Sequence, residues 1–327
     1  MEEIPDLVYY PDDRPGITRR RAGRGWSYRA PDGTRIDDRA ERRRLEALAV
    51  PPAYENVWIC PRADGHLQAT GRDARARKQY RYHARWTAYR ARRKYAELPA
   101  FGERLPAIRR RIRRDLRGAA GERAFALAAV LAMIDRLSLR VGSREAAERN
   151  GAHGATTLRP RHLSLGEDVL ELDYRGKGGR RIRRRLKDRR LAQVLHSLDD
   201  LPGATLFGWT GADGTAHEVT SDQVNELLHE ITGEAGVSAK TFRTWNGSVA
   251  AMEVALAGET PTIGEMAEAA AERLGNTAAI ARNSYIHPAV IDLAEARQAE
   301  RRALAERAPE RRGLRRAERA LLALIGA

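Results

Sequence analysis

The chain has a single cysteine, Cys60, among its 327 residues. One thiol excludes an internal disulfide and any zinc site built from several cysteines. Because Cys60 ends the apolar run Val57-Trp58-Ile59, we expect it to be a half-buried strand residue. The eight histidines show no spacing typical of metal ligands, and His229-Glu230 lacks the second histidine of a zinc-protease helix. We therefore expect no metal.

Long apolar runs are also missing. No stretch approaches the roughly 20 apolar residues that a membrane-spanning helix requires. The first residues, Met1-Glu-Glu-Ile-Pro-Asp6, contain no positive segment leading into an apolar core. These absences predict a cytoplasmic protein with no membrane partner.

The sequence contains no Gly-x4-Gly-Lys-Ser/Thr phosphate loop, which disfavours nucleotide hydrolysis. The nearest pattern, Gly176-Lys177-Gly178-Gly179, lies between two predicted strands and does not open a helix. Lys177 is then either a solvated turn residue or a phosphate contact, since the glycines would let the turn approach a backbone closely. No cofactor is expected.

Positive charge is what the chain has in excess. Lysine and arginine number 59 against 44 acidic residues, a net charge of +15. Such a balance is typical of proteins that bind phosphates, although ribosomal and membrane-surface proteins share it. Hydrophobic residues make up 42%, enough for buried cores, and the length favours two domains.

Residues 1–89 are predicted to form a small β-rich domain. A short amphipathic helix at 37–48, ended by Pro51-Pro52, interrupts it. The strand-like runs, separated by turn signals, are 7–10, 16–20, 25–29 and 57–59.

Residues 90–327 are predicted to form a larger, mainly helical domain, so the fold class is α+β. Apolar residues between 119 and 139 recur at three- and four-residue steps, as in a buried helix. Thr262 and Glu265 fit a capping box at the start of another helix. The exception is a β-hairpin formed by 169–174 and 180–186, whose apolar positions alternate.

Two further segments of this domain are rich in charge. In the run 108–114, Ile108 and Ile112 mark a buried face, and the arginines are either solvated or phosphate contacts. The tail after Pro288 is predicted to be charged and helical, with a break near Pro309 and Gly313.

The segment 71–83 interleaves cations with Gln79, Tyr80 and Tyr82. This composition suits a duplex surface, because lysine and arginine hold phosphates while glutamine and tyrosine reach sugars or base edges. The alternative is a basic solvated loop with core tyrosines.

A tyrosine among arginines could cleave a phosphodiester without a metal. A phenol, with a pKa of about 10, is a poor nucleophile at neutral pH. Guanidinium groups can stabilise both its anion and the charge that develops on the phosphate. Lys240-Thr-Phe-Arg243 precedes Tyr285, and Arg140 follows the long apolar helix. Alone, Arg140 fits a charge at a helix C-terminus and Tyr285 fits a core residue, but together they indicate phosphodiester chemistry.

These motifs resemble the bacterial and poxvirus-type type IB DNA topoisomerases. The similarity spans nearly the whole chain, and it is specific because of the order and spacing of its parts. The parts are Val57-Trp58-Ile59, Gly65 to Gly71, Lys78 to His83, Phe101-Gly102 with Leu105-Pro106, Arg140-Val-Gly142, Gly176-Lys177-Gly178, Lys240-Thr-Phe-Arg243-Thr244 and Asn276 to Pro288.

The resemblance implies a role for each candidate. Tyr285 would attack duplex DNA, leaving a 3′-phosphotyrosine and a free 5′-hydroxyl. Arg140 and Arg243 match the arginines that stabilise the phosphorane, and Lys177 matches the general acid for the leaving 5′-oxygen. Lys240 matches an auxiliary cation. Supercoils would be released by strand swivelling before religation, with neither ATP nor metal.

The resemblance also implies how the protein meets its partner, duplex DNA. Gln79, Tyr80 and Tyr82 match DNA contacts of the amino-terminal domain. The β-rich domain and the helical catalytic domain with its embedded hairpin would close as a C-shaped clamp. The protein is expected to act as a monomer associated with the nucleoid.

One position departs from the commonest pattern of the family, since Asn276 stands where many members carry histidine. An amide can donate a hydrogen bond to a non-bridging phosphate oxygen, but it cannot supply an imidazolium. The alternative role for Asn276 is an N-cap for the turn that follows.

Two other functions remain open. Tyrosine site-specific recombinases share the arginine, lysine and tyrosine chemistry, but they normally carry His-x-x-Arg where this chain has Lys240-x-x-Arg243. A catalytically inactive DNA-clamping protein would keep the fold without needing the full residue set.

Overall fold

The computed structural model describes residues 6–201, 203–233 and 237–326. The chain divides into two compact units, one up to Lys94 and one from Tyr95. The division lies within helix α2 (Ala84–Ala96), as does the predicted boundary between 89 and 90. The first unit contains a small sheet and the second is mainly helical, which confirms the α+β class. The domain limits 1–89 and 90–327 stay a prediction.

The first unit is built on a five-stranded antiparallel sheet in the order β2-β1-β3-β4-β5. Its elements are β1 (Ile17–Ala22), β2 (Gly25–Arg29), α1 (Arg39–Ala47), β3 (Glu55–Ile59), β4 (Leu67–Arg72) and β5 (Lys78–Tyr82). Asp38 caps α1 by accepting from the backbone N–H of Glu41 at 2.7 Å. Leu45 of α1 packs with Ile17 and Ile59 of the sheet in a small core.

Two predictions for this unit are wrong, those for 7–10 and for Cys60, and the loop alternative for 71–83 is excluded. The run 7–10 is not a strand, because only Val8 pairs, in an isolated bridge to Gly65. The segment 71–83 is not a loop: it contains the end of β4 and the whole of β5. Cys60 is fully buried rather than half-buried, since it follows the end of β3 into the interior.

The second unit is built around two central helices, α4 and α8, and most residues of both helices are buried. The helices are α3 (Leu98–Asp115), α4 (Arg123–Leu137), α5 (Arg144–Asn150), α6 (Arg189–Asp199), α7 (Ser221–Thr232), α8 (Ala239–Ala257), α9 (Ile263–Leu274), α10 (Ala278–Tyr285), α11 (Pro288–Asp292), α12 (Gln298–Arg307) and α13 (Arg316–Ile325). The strands are β6 (Leu163–Leu165), β7 (Val169–Arg175), β8 (Arg181–Lys187), β9 (Gly208–Thr210) and β10 (Ala216–Glu218). Phe101 packs edge to face against Phe242 and Trp245, and all three are fully buried.

The predicted hairpin is confirmed as β7 and β8, paired antiparallel with Tyr174 opposite Ile182. β6 adds a third strand that the sequence pattern did not predict. The turn requires its glycines, because Gly178 and Gly179 have φ values of 77° and 78°. The capping box of α9 is also confirmed: Glu265 N–H donates to Thr262 Oγ1 at 3.2 Å, and Thr262 N–H donates to Glu265 at 2.8 Å.

The carboxyl-terminal segment is helical with a break between α12 and α13, as predicted. Arg109 corrects the prediction for the run 108–114, because it is neither solvated nor available to a phosphate. It pairs at 2.8 Å with both Asp135 of α4 and Glu318 of α13. This buried network fastens α13 to α3 and α4, so the last helix is part of the core of the unit.

Candidate active site

The change of chain direction after α4 determines where Arg140 points. The helix ends at Leu137, and Ser138 adopts a left-handed conformation with φ 56° and ψ 33°. The chain then leaves the helix axis, and Arg140 Nη2 donates to Asn276 Oδ1 at 2.8 Å. Arg140 therefore faces the α9–α10 connection.

Arg243 lies one turn into α8 and is only 3% exposed. Its Nη1 donates to the carbonyl oxygen of Ser138, and its Nη2 donates to that of Leu274 at 2.9 Å. No carboxylate pairs with Arg243 among the described residues. Burial, and next the charge of Arg140, lower the pKa of Arg243 to about 10. The guanidinium is thus charged at neutral pH and carries an uncompensated positive charge beside Arg140.

Tyr285 is the last residue of α10, and the centre of its ring lies 5.2 Å from Cζ of Arg243. Burial raises the pKa of the Tyr285 phenol. The charge and hydrogen bonding of Arg243, with the charges of Arg140 and Lys240, outweigh burial and leave the pKa below its ordinary value of 10.0. The surroundings therefore favour the phenolate, which is the form that can act as a nucleophile.

Asn276 follows Gly275, which ends α9 in a left-handed conformation with φ 64°. The N-cap alternative for Asn276 is wrong, because Thr277 caps α10 by accepting from the N–H of Ile280 at 3.3 Å. Asn276 Oδ1 accepts from Arg140, whereas Nδ2 is buried without a hydrogen-bond partner in the described part of the chain. A buried donor without a partner is unusual, and a ligand oxygen could satisfy it.

The two candidate lysines lie at the margin of this cluster. Lys240 is exposed in the first turn of α8, and its charge contributes to lowering the Tyr285 pKa. Lys177 is exposed in the hairpin turn, and no described contact joins its side chain to Tyr285 or the arginines. The hairpin nevertheless reaches the α9–α10 connection, because Arg180 Nη1 donates to the carbonyl of Gly275 at 3.3 Å.

Three consecutive residues of α8 that sequence reasoning missed organise the cluster. Asn246 Nδ2 donates to the carbonyl of Asp135 at 3.1 Å and to Ser138 Oγ at 3.0 Å, which holds the left-handed corner in place. Gly247 and Ser248 contact the backbone at Tyr285. Their composition could have indicated a functional role, since a run of Asn, Gly and Ser is unfavourable in the middle of a helix.

The candidate DNA contacts of the first unit lie on β5, at the edge of its sheet. Tyr80 and Tyr82 are 49% and 46% exposed, so they are not core tyrosines. Their rings stack with centroids 6.1 Å apart, and Lys78 Nζ lies 5.4 Å from the centre of the Tyr80 ring. Gln79 donates through Nε2 to Asp73 Oδ2 at 3.0 Å, so this donor already has a protein partner.

In the described ranges, no three His, Cys, Asp or Glu side chains group as metal ligands. No helix there is both long enough and apolar enough to cross a membrane.

Comparison with known proteins identifies the family. Residues 25–73 match the family described as bacterial DNA topoisomerase IB, N-terminal domain, and residues 83–286 match eukaryotic DNA topoisomerase I, catalytic core. The chain is 25% identical over 293 residues to DNA topoisomerase 1B of Acanthamoeba polyphaga mimivirus, covering 85% of this chain and 87% of the relative. It is 31% identical over 137 residues to the mitochondrial DNA topoisomerase I of Rattus norvegicus, covering 39% of this chain and 21% of that protein. The chain belongs to the type IB DNA topoisomerases.

Proposed function

We propose that the protein relaxes supercoiled duplex DNA through a transient single-strand break held as a 3′-phosphotyrosine on Tyr285, without ATP or metal. The observation that carries this proposal is the position of the Tyr285 ring, 5.2 Å from the buried guanidinium of Arg243. Arg140 lies beside Arg243 and lowers its pKa. A nucleophile with a lowered pKa and an uncompensated double positive charge together form a site for a phosphate.

In the proposed reaction, the Tyr285 phenolate attacks the phosphorus atom. The bond between phosphorus and the 5′-oxygen breaks, and Lys177 donates a proton to that oxygen. Arg140 and Arg243 stabilise the charge on the non-bridging oxygens, and losing one such donor typically costs about 10²–10³ in rate. For the proton transfer, the hairpin turn has to bring Lys177 to the leaving oxygen when DNA is bound.

Asn276 is proposed to contribute a hydrogen bond rather than a proton. Its Nδ2 is buried and has no partner in the described residues, so it can donate to a non-bridging oxygen. A neutral amide cannot act as a general acid. Because the phosphotyrosine retains the energy of the broken bond, religation needs no other energy source. The free 5′ end swivels between the two steps.

The DNA is proposed to be held by both units of a monomer that acts as a C-shaped clamp on the nucleoid. The net charge of +15 supplies the attraction for phosphates. The exposed pair Tyr80 and Tyr82, with Gln79 and Lys240, would contact the duplex near the break. Gln79 would exchange its partner Asp73 for DNA.

The test is relaxation of a supercoiled plasmid in the presence of a metal chelator and without ATP. We expect a ladder of topoisomers from the natural protein. Tyr285→Phe should abolish relaxation. It should also abolish the covalent protein–DNA adducts that a denaturant traps, while keeping most of the salt-sensitive DNA binding. Adducts formed equally by the variant would contradict the nucleophile assignment. Strand exchange at a defined site would indicate a recombinase, and binding without adducts would indicate an inactive clamp.

A further inference from the structure

The segment that carries Tyr285 is attached to α8 through the side chain of Ser248. Ser248 is fully buried, and its Oγ accepts a hydrogen bond from the backbone N–H of His287 at 2.9 Å. The same oxygen lies 3.3 Å from the carbonyl oxygen of Tyr285 and 2.9 Å from that of Thr244. The hydroxyl has one proton, which it can donate to either carbonyl, while it accepts from His287 in both cases.

Gly247 lets this segment approach α8 closely. A Cβ atom at Gly247 would lie 2.7 Å from the carbonyl oxygen of Tyr285, and 3.0 Å from both the Cβ of Tyr285 and the Cδ1 of Leu274. The backbone of Gly247 is helical, so its conformation does not require glycine. Glycine is unfavourable in a helix interior. The close approach of the Tyr285 backbone is therefore the physical reason for glycine at this position.

Helix α8 consequently holds two components of the site at once. Arg243 projects from α8 toward the proposed phosphate position. One turn later, Gly247 and Ser248 contact the backbone of the Tyr285 segment, and we call these two residues the seat of Tyr285. Tyr285 is the last residue of the short helix α10, and the next helix, α11, begins only at Pro288. Its position relative to Arg243 depends on this seat.

We infer that Gly247 and Ser248 are positioning residues that hold Tyr285 in line for attack before DNA is cleaved. The inference rests on the proposed function, in which Tyr285 is the nucleophile. Neither residue touches the reacting atoms, and both act through the Tyr285 backbone.

This role predicts an asymmetry between cleavage and religation. In the non-covalent complex no covalent bond joins Tyr285 to the phosphate, so weakening its contacts with Gly247 and Ser248 adds undocked states from which attack cannot begin. In the transition state and in the adduct, the bond to phosphorus holds the tyrosine in place. Weakening these contacts should therefore slow cleavage and leave religation unchanged, and the equilibrium ratio of adduct to uncleaved DNA should fall by the same factor as the cleavage rate.

The experiment compares Gly247→Ala and Ser248→Ala with the natural protein on a supercoiled plasmid. Denaturant-trapped adducts are measured as a function of time, and the approach rate and plateau together give the cleavage and religation rates. We expect cleavage by Ser248→Ala to fall about tenfold, as for the loss of one buried hydrogen bond. Cleavage by Gly247→Ala should fall as well, because the new Cβ displaces the Tyr285 carbonyl. DNA affinity should not change. Alanine favours a helix over glycine, so Gly247→Ala does not lower the helix propensity of α8.

Matched controls are available on other helices. Gly264→Ala places a Cβ on α9 with its nearest neighbouring atom 3.7 Å away. Ser197→Ala removes only a hydrogen bond to the Gln193 carbonyl at 3.1 Å on α6. Both controls should cleave and religate like the natural protein.

The inference is overturned if Gly247→Ala cleaves at the natural rate, and this variant decides alone should Ser248→Ala not fold. It is also overturned if cleavage and religation fall equally, since that result assigns the effect to the transition state. If the natural protein forms no adduct through Tyr285, the proposed function fails and the inference with it. Normal natural adducts with unaffected variants refute only the inference.

Discussion

Replacing Glu318 by glutamine should destabilise the second unit, although Glu318 lies in the last helix of the described chain. Its side chain is fully buried. Its two oxygens accept from Arg109 at 2.8 and 2.9 Å and from the guanidinium and backbone N–H of Arg315 at 2.8 Å each. Glutamine would keep one acceptor and place an NH₂ group against the guanidinium groups of Arg109 and Arg315, so both would lose a charged partner.

The magnitude follows from the pKa of Glu318. Burial raises this pKa, but hydrogen bonds from Arg109 and Arg315 outweigh burial and lower it from 4.5 to about 2. The fall of this pKa from 4.5 to about 2 corresponds to about 3 kcal/mol of stability at neutral pH. Because the folded pKa is the lower one, this contribution is complete above pH 4.5 and disappears as the pH falls toward 2. At pH 3 only about 1 kcal/mol should remain.

The assay is urea unfolding of the natural protein and Glu318→Gln at pH 7 and pH 3, with thermal unfolding at pH 7. We expect a loss of about 3 kcal/mol at pH 7, which for a unit of this size lowers the melting temperature by about 6–12 °C. The difference should shrink to about 1 kcal/mol at pH 3. A melting temperature within about 2 °C of the natural value, or a deficit that is equally large at both pH values, would refute the assignment of the stability to this carboxylate.

The remaining predictions concern the chemistry. The cleavage rate should rise with pH with a midpoint below pH 10, because the pKa of Tyr285 is lowered from 10.0 by Arg243 and its neighbours despite burial; a midpoint at or above pH 10, measured by single-turnover cleavage, would contradict this. Lys177→Ala should cleave ordinary DNA slowly but regain speed on DNA whose 5′-bridging oxygen is replaced by sulfur, since a thiolate leaves without a proton. Arg243→Ala should gain no such rescue, and equal behaviour of the two variants would count against Lys177 as the acid.

The sequence identified the candidate catalytic side chains, but it did not predict how they are arranged in space. Lys240-x-x-Arg243 and Tyr285 stand out as motifs, because their residue types are costly to bury and suited to phosphate chemistry. Their convergence in space was not predictable, since Arg140 donates a hydrogen bond to Asn276, which lies 136 residues further along the chain. The corner that aims Arg140 has serine in a left-handed conformation, which sequence patterns assign to glycine or asparagine.

Charge misled the prediction in other places. β5 was not predicted as a strand, because its alternation consists of cations and tyrosines rather than polar and apolar residues. Arg109 looked like one more surface arginine, since its partner Glu318 lies 209 residues further on. Helices α4 and α9 were predicted correctly, because α9 buries one face whose apolar residues follow the helical period, and the apolar run of α4 is typical of a helix buried on nearly all sides.

The most direct test of the central claim is the chemical identity of the bond between protein and DNA. Adducts trapped with denaturant on plasmid DNA would be digested with protease and nuclease, and the remaining peptide–nucleotide conjugate would be sequenced by mass spectrometry. We expect a nucleotide joined through its 3′-phosphate to the peptide that contains Tyr285, with a free 5′-hydroxyl on the other side of the break. Attachment to another residue, or through a 5′-phosphate, would contradict it.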